Sequence, residues 1–460
     1  MNSNMAVNGI VVCFLLYFLN TAVALDRGLG GFKEVYAWKQ MTYDINGIEV
    51  LHDRFAGIDE TERMKRQTDA VYFQNDDDEE IKRPVPSRPN EDESGRFFIQ
   101  YNNLPMGAEK VGNRLFIALP RRNYGIPATL NYIDLNTQTE RSPSLKPYPD
   151  VFSSRSLISV YRTRADNCNR LWMVDTGLLE LAVISNRRQL QPPGIVIFDL
   201  NTNQQILRYT LKDTDVPSAT TPAGLASITV DITGNCDDAY AYIPDLSTYG
   251  IVVYSLKDND SWRLQHNYFS YNPVAGNLRI AGEYFQWSDG EYFQWSDGIF
   301  SITLSPPTPD SCRKAYFHPL VSTEEFAVST CVLKNKTASS DRYFFDKFSF
   351  LGDRGQNSQC TMHDYHERTG VIFFADIGRN GISCWNTVKP LSENTVSVLA
   401  QHDDLLSYPA DLHVTGDEVW VITNRLPRFG YSRLNIDEYN FFIYKGHVQR
   451  LIYGTPCAVY

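Results

Sequence analysis

The chain has 460 residues, of which 43% are hydrophobic, so it can bury a large core and form one large globular domain or two to three ordinary ones. Its formal net charge of −11 argues against nucleic-acid binding, because phosphate recognition requires a basic surface.

The N-terminus predicts a secretory signal peptide. An apolar run, Ile10–Leu19, precedes Ala22-Val23-Ala24, which has the small-x-small form that signal peptidase accepts. We therefore expect residues 1–24 to be removed and a single domain to occupy residues 25–460. The run is too short to span a bilayer and no other stretch is long and apolar enough, so the mature protein is expected to be secreted and free of the membrane.

Residues 75–96 predict a flexible acidic insertion in this domain. The segment carries eight acidic residues against four basic ones, together with three prolines and almost no apolar side chains. Such a composition cannot bury enough surface to offset the entropy lost on ordering. We interpret the segment as a solvated loop and not as a binding element.

Beyond Leu104 the chain falls into units of short apolar strands. In each unit, a strand that closes on a polar residue is followed by a partner rich in β-branched and aromatic residues, as strands prefer. Six strands of the first kind can be counted: LFIALP (115–120), LWMVDTG (171–177), AYAYIPD (239–245), KAYFHPL (314–320), VIFFADI (371–377) and EVWVITN (418–424). Their partners are ATLNYIDL, GIVIFDL, GIVVYSL, FAVSTCVL, GISCWNT and NFFIYKG.

Units that recur every 40 to 70 residues or so, with few helical patterns between them, are typical of a β-propeller built from four-stranded blades. The sequence therefore predicts an all-β fold, a six-bladed propeller of antiparallel blades. In such a fold the strand ends form one face around a central channel. The polar residues that close the strands are expected to be neighbours on that face.

An octapeptide, EYFQWSDG, occurs twice in succession, as Glu283–Gly290 and Glu291–Gly298, just before the first strand of the fourth unit. Eight extra residues preserve the alternation of a strand but would lengthen it by about 26 Å, which no blade could pair. One copy is therefore expected to loop out. We interpret the repeat as an incidental duplication and not as a blade or a gain of function.

Seven cysteines remain after the signal peptide, and none has the spacing of a zinc site. Since a secreted protein favours disulfides, we expect pairing between equivalent corners of neighbouring units and across single units. The expected pairs are Cys168–Cys236, Cys360–Cys384 and Cys312–Cys331, with Cys457 free. Glycosylation is expected at the sequons that begin at Asn259 and Asn335.

Several motifs resemble, in order along the chain, the Yellow and major royal jelly protein family of insects. They are LPMGAEKVGNRLFIALPRRNYGIPATLNYIDL, CNRLWMVDTG, PPGIVIFDL, WSDGIFSITLSP, YFHPLVSTEEFAVST, TGVIFFADIGRNGISCWNT and LHVTGDEVWVITNRLP. The resemblance implies a secreted six-bladed propeller in which the WSDG tract occurs once, so the second copy departs from the family pattern. NNLPMG and PRRNYGIPATLNYIDL are most similar to the branch credited with dopachrome conversion, a step of melanin formation and cuticle tanning.

The polar residues that close the strands are the candidate catalytic and binding residues. Carboxylates at the channel mouth could hold the ammonium of a catecholamine, while a base removes a proton and a guanidinium stabilises the charge on an indoline oxygen. The catalytic candidates are His318, Asp376 and Arg121, with Arg122 as a second guanidinium; the binding candidates include Asp175 and Asp245. The alternative interpretation is that each Asp or Asn only caps a turn at a strand end.

Four further binding candidates come from the last unit and from the octapeptide. Asn424, with its neighbour Thr423, corresponds to the position at which amine-binding members of the family have pocket residues. Trp295 and Asp297, in the octapeptide copy that joins the strand, could supply an aromatic wall and a carboxylate, and Trp287 and Asp289 of the first copy are the alternatives. Aromatic residues in a propeller can equally be packing between blades.

The segment HDYHE, His363–Glu367, does not predict a metal site. Two histidines three residues apart share a helix face but point to opposite sides of a strand, and we interpret this segment as a solvated turn. The chain has no GxSxG elbow, Walker loop or dinucleotide fingerprint before a helix, and no cofactor is expected. Two functions remain. The first is conversion of dopachrome to a dihydroxyindole by tautomerisation or decarboxylation; the second is a non-catalytic role, either as a binder of biogenic amines or as a secreted structural or pigmentation factor.

Overall fold

The computed structural model of the protein describes residues 28–53, 97–180, 187–217, 221–288 and 292–458. The predicted signal peptide and acidic insertion lie outside these residues. Within them no helix is long and apolar enough to cross a membrane.

Six four-stranded antiparallel sheets form a six-bladed propeller, which confirms the predicted fold. Each of the first three blades is continuous in sequence, and its strands run outward from the channel in chain order. Blade 1 consists of Gly107–Val111, Arg114–Ala118, Leu130–Asp134 and Lys146–Pro147; blade 2 of Val160–Ala165, Arg170–Asp175, Gly194–Asp199 and Gln204–Thr210; blade 3 of Thr229–Asp231, Tyr240–Asp245, Gly250–Ser255 and Asp260–Gln265.

The other three blades follow the same plan until the last strand of the propeller. Blade 4 consists of Ile299–Leu304, Lys314–Pro319, Glu324–Ser329 and Phe348–Asp353; blade 5 of Cys360–His366, Val371–Asp376, Gly381–Asn386 and Val396–Gln401; blade 6 of Tyr408–Thr415, Glu418–Asn424, Phe441–His447 and Lys33–Trp38. The outermost strand of blade 6 therefore comes from the N-terminal part of the chain and pairs antiparallel with Phe441–His447. This pairing closes the ring.

Burial along the strands follows from their place in the blade. Val371–Asp376 is buried over its whole length, because a second strand lies between neighbouring strands and has another blade on each face. The outermost strand Gln204–Thr210 exposes most of its residues. Hydrophobic clusters accordingly join adjacent blades, for example blades 1 and 2 around Phe116, Tyr148 and Phe198.

Short helices and hairpins lie in the connections. The α-helices are Thr221–Gly224, Thr330–Leu333, Leu426–Tyr431 and Val448–Ile452, and the 3-10 turns are Gln100–Asn102, Ser153–Ser156, Asn267–Phe269, Pro273–Ala275, Ala338–Ser340, Phe345–Lys347 and Glu393–Thr395. Four two-stranded hairpins pair Tyr43–Ile45 with Ile48–Val50, Leu178–Leu179 with Arg188–Gln189, Arg279–Ile280 with Glu283–Tyr284, and Gln286–Ser288 with Tyr292–Gln294.

Two of the three predicted disulfides are confirmed and the third is wrong. Cys168 pairs with Cys236 and Cys312 with Cys331, but Cys384 pairs with Cys457 and leaves Cys360 as a buried free thiol. The predicted Cys360–Cys384 pair is excluded by the sheet, because strand Val371–Asp376 lies between them. Two strand spacings are about 9.6 Å, beyond the reach of a disulfide.

The Cys384–Cys457 disulfide should matter for stability because it closes a loop of 73 residues between blade 5 and the C-terminal segment. The chain-entropy account gives about 4 kcal/mol for a loop of this size. We expect Cys457→Ser to lower the free energy of unfolding by up to that amount. Urea unfolding measures the change, and peptide mapping that joined Cys384 to Cys360 would contradict the assignment.

The two octapeptides lie in the connection between blades 3 and 4. As predicted, the duplication does not extend a blade strand, since blade 4 begins at Ile299. Both copies contribute to the connection: Gln286–Ser288 of the first pairs with Tyr292–Gln294 of the second, with Trp287 opposite Phe293 in register. The copies therefore form one hairpin instead of one ordered copy and one excluded loop.

The same residue of the octapeptide has different surroundings in the two copies. Phe285 is 3% exposed and packs in the largest core cluster, whereas Phe293 is 54% exposed. We expect Phe285→Ala to weaken docking of the hairpin by about 3 kcal/mol, and Phe293→Ala to change it little. Hydrogen exchange of the connection measures this difference, and equal effects in the two copies would contradict it.

Candidate functional site

One face of the propeller carries the starts of the innermost strands and the ends of the second strands, because neighbouring strands are antiparallel. We call this face the channel mouth. The connections between second and third strands also lie there, as do those from one blade to the next. The octapeptide hairpin is part of the latter.

The three aspartates predicted to surround the mouth each cap their own turn. Asp175 accepts hydrogen bonds from the backbone amides of Ile158 and Ser159, and Asp245 from those of Ser247 and Thr248. Both also pair with an arginine of the outermost strand of their own blade. These contacts agree with the alternative interpretation, in which each aspartate caps a turn at the end of a strand and does not bind a ligand.

Asp376 follows the same rule at the end of the second strand of blade 5. Its carboxylate accepts hydrogen bonds from Ser383 Oγ at 2.6 Å and from the Arg379 amide at 3.2 Å. Burial raises its pKa, although Arg379 lowers it. The side chain is 0% exposed, so it faces its own blade and not the channel mouth.

Asn424 and Thr423 are also engaged with the backbone. The Asn424 amide donates to the carbonyl of Pro105 at 2.7 Å and accepts from the amide of Leu426 at 2.9 Å. Thr423 Oγ1 donates to the carbonyl of Leu405 at 2.9 Å. Both side chains are buried. The Asn424 contact holds blade 6 to the segment that enters blade 1, and the Thr423 contact holds it to the connection from blade 5.

Of the two adjacent arginines, Arg121 is committed to structure. Its guanidinium donates to four backbone carbonyls, those of Ile126, Pro127, Leu157 and Ile158. Burial lowers its pKa, and the Asp175 charge opposes this effect. Arg121 therefore joins blades 1 and 2 and has little capacity left for a ligand.

Arg122 instead belongs to a polar cluster at the channel mouth. Burial acts to lower the pKa of its guanidinium, but the charge of Glu180 and the phenols of Tyr161 and Tyr408 outweigh that effect and raise the pKa. The Tyr161 hydroxyl donates to Glu180 Oε2. Arg122 and Glu180 are both partly exposed, so solvent reaches this cluster.

Asp297 of the second octapeptide faces the same cluster. Burial raises the pKa of its carboxyl to about 7, against a hydrogen bond with Trp295 and the charge of Arg122, which lower it. Asp297 and Trp295 are both partly exposed. The structure therefore brings together these two predicted residues with Arg122, and it supplies a carboxyl group that can gain or lose a proton near neutral pH.

Aromatic rings surround this polar cluster. Phe285 lies 5.1 Å from the ring centre of Trp295 in an edge-on arrangement, and 6.2 Å from that of Tyr408 with the two planes nearly parallel. Tyr431 packs 5.3 Å from Phe285 and donates to the carbonyl of Gln286 at 3.2 Å. Both octapeptide copies thus contribute a ring to the site, Phe285 from the first and Trp295 from the second.

Deeper in the channel, charged side chains of the innermost strands form a buried network. Arg164 makes two hydrogen bonds to Asp364, at 2.9 and 3.1 Å, and its Nη1 lies 2.7 Å from His413 Nδ1. His413 Nε2 lies 3.1 Å from Glu109 and 3.2 Å from Asp411. Burial acts to lower the pKa of His413, but the charges of Asp411 and Glu109 outweigh it and raise the pKa to about 9. Blades 1, 2, 5 and 6 thus meet in one network.

His318 lies in neither the mouth nor this network. Its ring is 0% exposed and faces Glu325 and His363 between blades 4 and 5. Burial lowers its pKa to about 4. The expected turn at His363–Glu367 is wrong as well, because strand Cys360–His366 continues to His366 and both histidines are buried. They have different partners, as their positions on opposite faces of a strand require.

Sequence reasoning missed Glu180, Tyr161, Phe285, Tyr408 and Tyr431 as site residues. A usable signal was present for two of them. Tyr161 and Tyr408 stand at the first or second position of an innermost strand, where side chains begin the channel wall. The other three lie in connections, whose path over the mouth has no periodic signature in the sequence.

Comparison with known proteins agrees with the resemblance noted in the sequence. The Major royal jelly protein family profile matches residues 158–457. The L-dopachrome tautomerase yellow-f of Drosophila melanogaster is 42% identical over 370 residues, which cover 78% of this chain and 83% of that protein. Protein yellow of the same organism is 38% identical over 368 residues, or 78% of this chain, and the chain spans 65% of its length.

Solved structures show a more distant likeness. The selenomethionine-substituted virginiamycin B lyase from Staphylococcus aureus aligns with 75% of this chain and 96% of its own, with 11% identity and a TM-score of 0.39. No functional argument is taken from a likeness at that level.

Proposed function

The chain belongs to the major royal jelly protein family, and from that premise we propose that it converts a dopachrome-like indoline quinone at the channel mouth, as a step in melanin pigmentation. The observation that carries the proposal is the Asp297 carboxyl, whose pKa is raised to about 7 beside Arg122. A relative 42% identical bears the name of a dopachrome tautomerase.

The side chains of the site suit the substrate in chemical character. A dopachrome ring is flat and aromatic, and in the proposed complex it stacks on Trp295, which is partly exposed and is backed by the buried ring of Phe285. Its carboxylate and quinone oxygens are acceptors, which suit the Arg122 guanidinium. The phenol of Tyr161, held on Glu180, offers a further polar contact at the same place.

Tautomerisation requires protons to move from carbon to oxygen without gain or loss of electrons by the protein. In the proposed step, ionised Asp297 removes a proton from the five-membered ring while Arg122 stabilises the charge that develops on the quinone oxygen. That oxygen is then protonated, which gives a quinone methide, and Asp297 returns its proton to solvent. The ring carbon that carries the carboxylate then loses either a second proton or CO2, its electron pair completes the indole double bond, and the second quinone oxygen is protonated. The product is a carboxylated dihydroxyindole in the first case and a dihydroxyindole in the second.

The direct test is to incubate the purified protein with dopachrome and follow the loss of its visible absorbance against a boiled control. A rate equal to that of the boiled sample would overturn the catalytic proposal.

We expect Arg122→Gln to lower kcat/KM for dopachrome by about 100-fold, because a buried charge-assisted contact to the developing oxyanion is lost. Arg122→Lys should recover part of the rate, since it keeps the charge but not the forked geometry. Steady-state kinetics measure both. If the Arg122→Gln variant kept the wild-type kcat/KM, Arg122 would have no role in the mechanism.

A second candidate function is favoured by the two carboxylates at the mouth. Glu180 and Asp297 stand near the same rings and could hold the ammonium of dopamine or serotonin without any reaction. Calorimetry with these amines separates the two functions. A non-catalytic binder would show amine affinity that Asp297→Asn weakens, and no dopachrome conversion.

We also propose that the protein is secreted, which is supported by its three disulfides. The proposed domain arrangement is a signal peptide, residues 1–24, followed by one propeller domain. Asn259 and Asn335 are exposed in surface turns, where glycans would be accommodated. A mass shift on enzymatic deglycosylation of protein from a secretory host would test these sites.

A further inference from the structure

A buried cluster of two imidazoles and one carboxylate lies between blades 4 and 5, away from the channel mouth. His318 and Glu325 belong to the second and third strands of blade 4, and His363 to the innermost strand of blade 5. Each side chain is 2% exposed or less. One donor atom from each lies within 4.8 Å of the other two.

One nitrogen of His318 has a defined proton. Its Nε2 lies 3.1 Å from the carbonyl oxygen of Thr361, which can only accept, so Nε2 carries the hydrogen. The other nitrogen, Nδ1, faces Glu325 Oε2 at 3.3 Å without a well-formed hydrogen bond.

His363 completes the cluster from the other blade. Its Nδ1 lies 2.6 Å from Ser301 Oγ, and its Nε2 is 3.1 Å from Glu325 Oε1. Among the described residues, no well-formed hydrogen bond reaches His318 Nδ1, His363 Nε2 or Glu325 Oε1. Three buried polar atoms thus converge at one point without well-formed hydrogen bonds between them, and a bound cation would satisfy all three.

We propose that His318 Nδ1, His363 Nε2 and the Glu325 carboxylate bind a divalent transition-metal ion, Zn²⁺ by ligand type. Two imidazoles and a carboxylate are ligands that Zn²⁺ accepts. A tetrahedral ion with ligands at about 2.0 to 2.1 Å has donor atoms about 3.3 Å apart. The separation of 3.1 Å between His363 Nε2 and Glu325 Oε1 agrees with that spacing, and one donor atom from each of the three residues lies within 4.8 Å of the other two.

The hydrogen bonds that the three ligand side chains make outside the cluster are of the kind found around metal sites. The second nitrogen of each histidine is held, by the Thr361 carbonyl for His318 and by Ser301 Oγ for His363. Such contacts orient a ligating imidazole and fix its tautomer. Arg354 donates to Glu325 Oε2 at 2.7 Å, which leaves Oε1 for the ion.

The site is structural and not catalytic. All three ligands are buried between two blades, so no substrate reaches the ion, which would join blade 4 to blade 5. Arg354 carries a positive charge beside the site and reduces its affinity, although three of its hydrogen bonds go to the carbonyls of Ser322, Glu324 and Ser358. The carboxylate of Glu325 therefore faces a cation on either side.

The test is the metal content of the full-length secreted chain, measured by elemental analysis after unfolding, refolding with Zn²⁺ and exhaustive dialysis. We expect one Zn²⁺ per chain, and at least a tenfold loss of metal in His363→Ala and in Glu325→Gln. His366→Ala is the matched control, because it removes another buried histidine of the same strand that lies outside the cluster. It should keep the metal.

A second readout does not depend on how the variants fold. Refolding the wild-type chain with Co²⁺ should give the visible absorption of a tetrahedral site with nitrogen and oxygen ligands, and Zn²⁺ should abolish it. A wild-type chain that retains less than a tenth of an equivalent of either metal would overturn the proposal. So would metal content that His363→Ala leaves unchanged.

Discussion

Asp297→Asn should lower the rate of dopachrome conversion by about 100-fold or more, the range over which a positioned general base acts. The amide cannot accept a proton, yet it keeps the shape of the side chain and its contact with Trp295. The rate of absorbance loss at saturating dopachrome measures the effect. A variant with wild-type kcat would show that another group removes the proton.

The first octapeptide offers a matched control for this substitution. Asp289 occupies the same position in the first copy as Asp297 in the second, and Asp289→Asn should leave the rate near that of the wild type. If Asp289→Asn removed activity and Asp297→Asn did not, the carboxylate of the site would come from the other copy. If both variants kept full activity, neither octapeptide carboxylate would take part in the reaction.

The same residue gives the reaction a predicted pH dependence. Burial raises the pKa of Asp297 to about 7, so the basic form appears as the pH rises through that value, and kcat should rise with it.

The contribution of Asp297 to the stability of the fold changes with pH in the opposite direction. The folded state holds the proton more tightly than the unfolded chain does, so this group stabilises the fold less as the pH increases from about 4 to about 7. Asp297→Asn should therefore melt no lower than the wild type at pH 8, which separates lost chemistry from lost folding.

The fold was predictable because each blade repeats a local pattern. Strands such as Val371–Asp376 and Gly381–Asn386 were recognisable from continuous apolar and β-branched residues, and all six second strands lie where the sequence placed them. Neighbouring strands in such a pattern pair with each other. The fourth strand of blade 6 comes from Lys33–Trp38, a long-range pairing without such a local signal.

The site was predictable only in part, because a strand pattern places a residue at the end of a strand but does not say whether its side chain faces its own blade or the channel mouth. A residue that ends a second strand, such as Asp175, faces the turn of its own blade, where backbone amides take up its carboxylate. Trp295 and Asp297 were found because they lie in a connection next to an innermost strand. Their neighbours Glu180 and Tyr431 reach the mouth along connections of another blade, which no spacing in the sequence links to them.

Asp364→Ala should lower the free energy of unfolding by about 3 kcal/mol, because it removes the buried carboxylate that pairs with Arg164, whose side chain is 27% exposed. Asp364 also accepts hydrogen bonds from Thr303 Oγ1 and from the amide of Val414, both at 2.9 Å. One carboxylate therefore serves blades 2, 4, 5 and 6. Asp364→Asn, which keeps an acceptor oxygen, should cost less than the alanine.

The control for this effect is an aspartate with an arginine partner at the surface. Asp417 pairs with Arg368 and is 35% exposed, so Asp417→Ala should lower the free energy of unfolding much less than Asp364→Ala does. Although burial alone would raise the pKa of Asp364, the Arg164 charge lowers it overall. The contribution of Asp364 is thus present above about pH 4 and lost as the pH falls below that value. Urea unfolding at pH 7 and at pH 3 measures both effects, and an Asp364→Ala chain as stable as Asp417→Ala at pH 7 would show that the channel network does not hold the blades together.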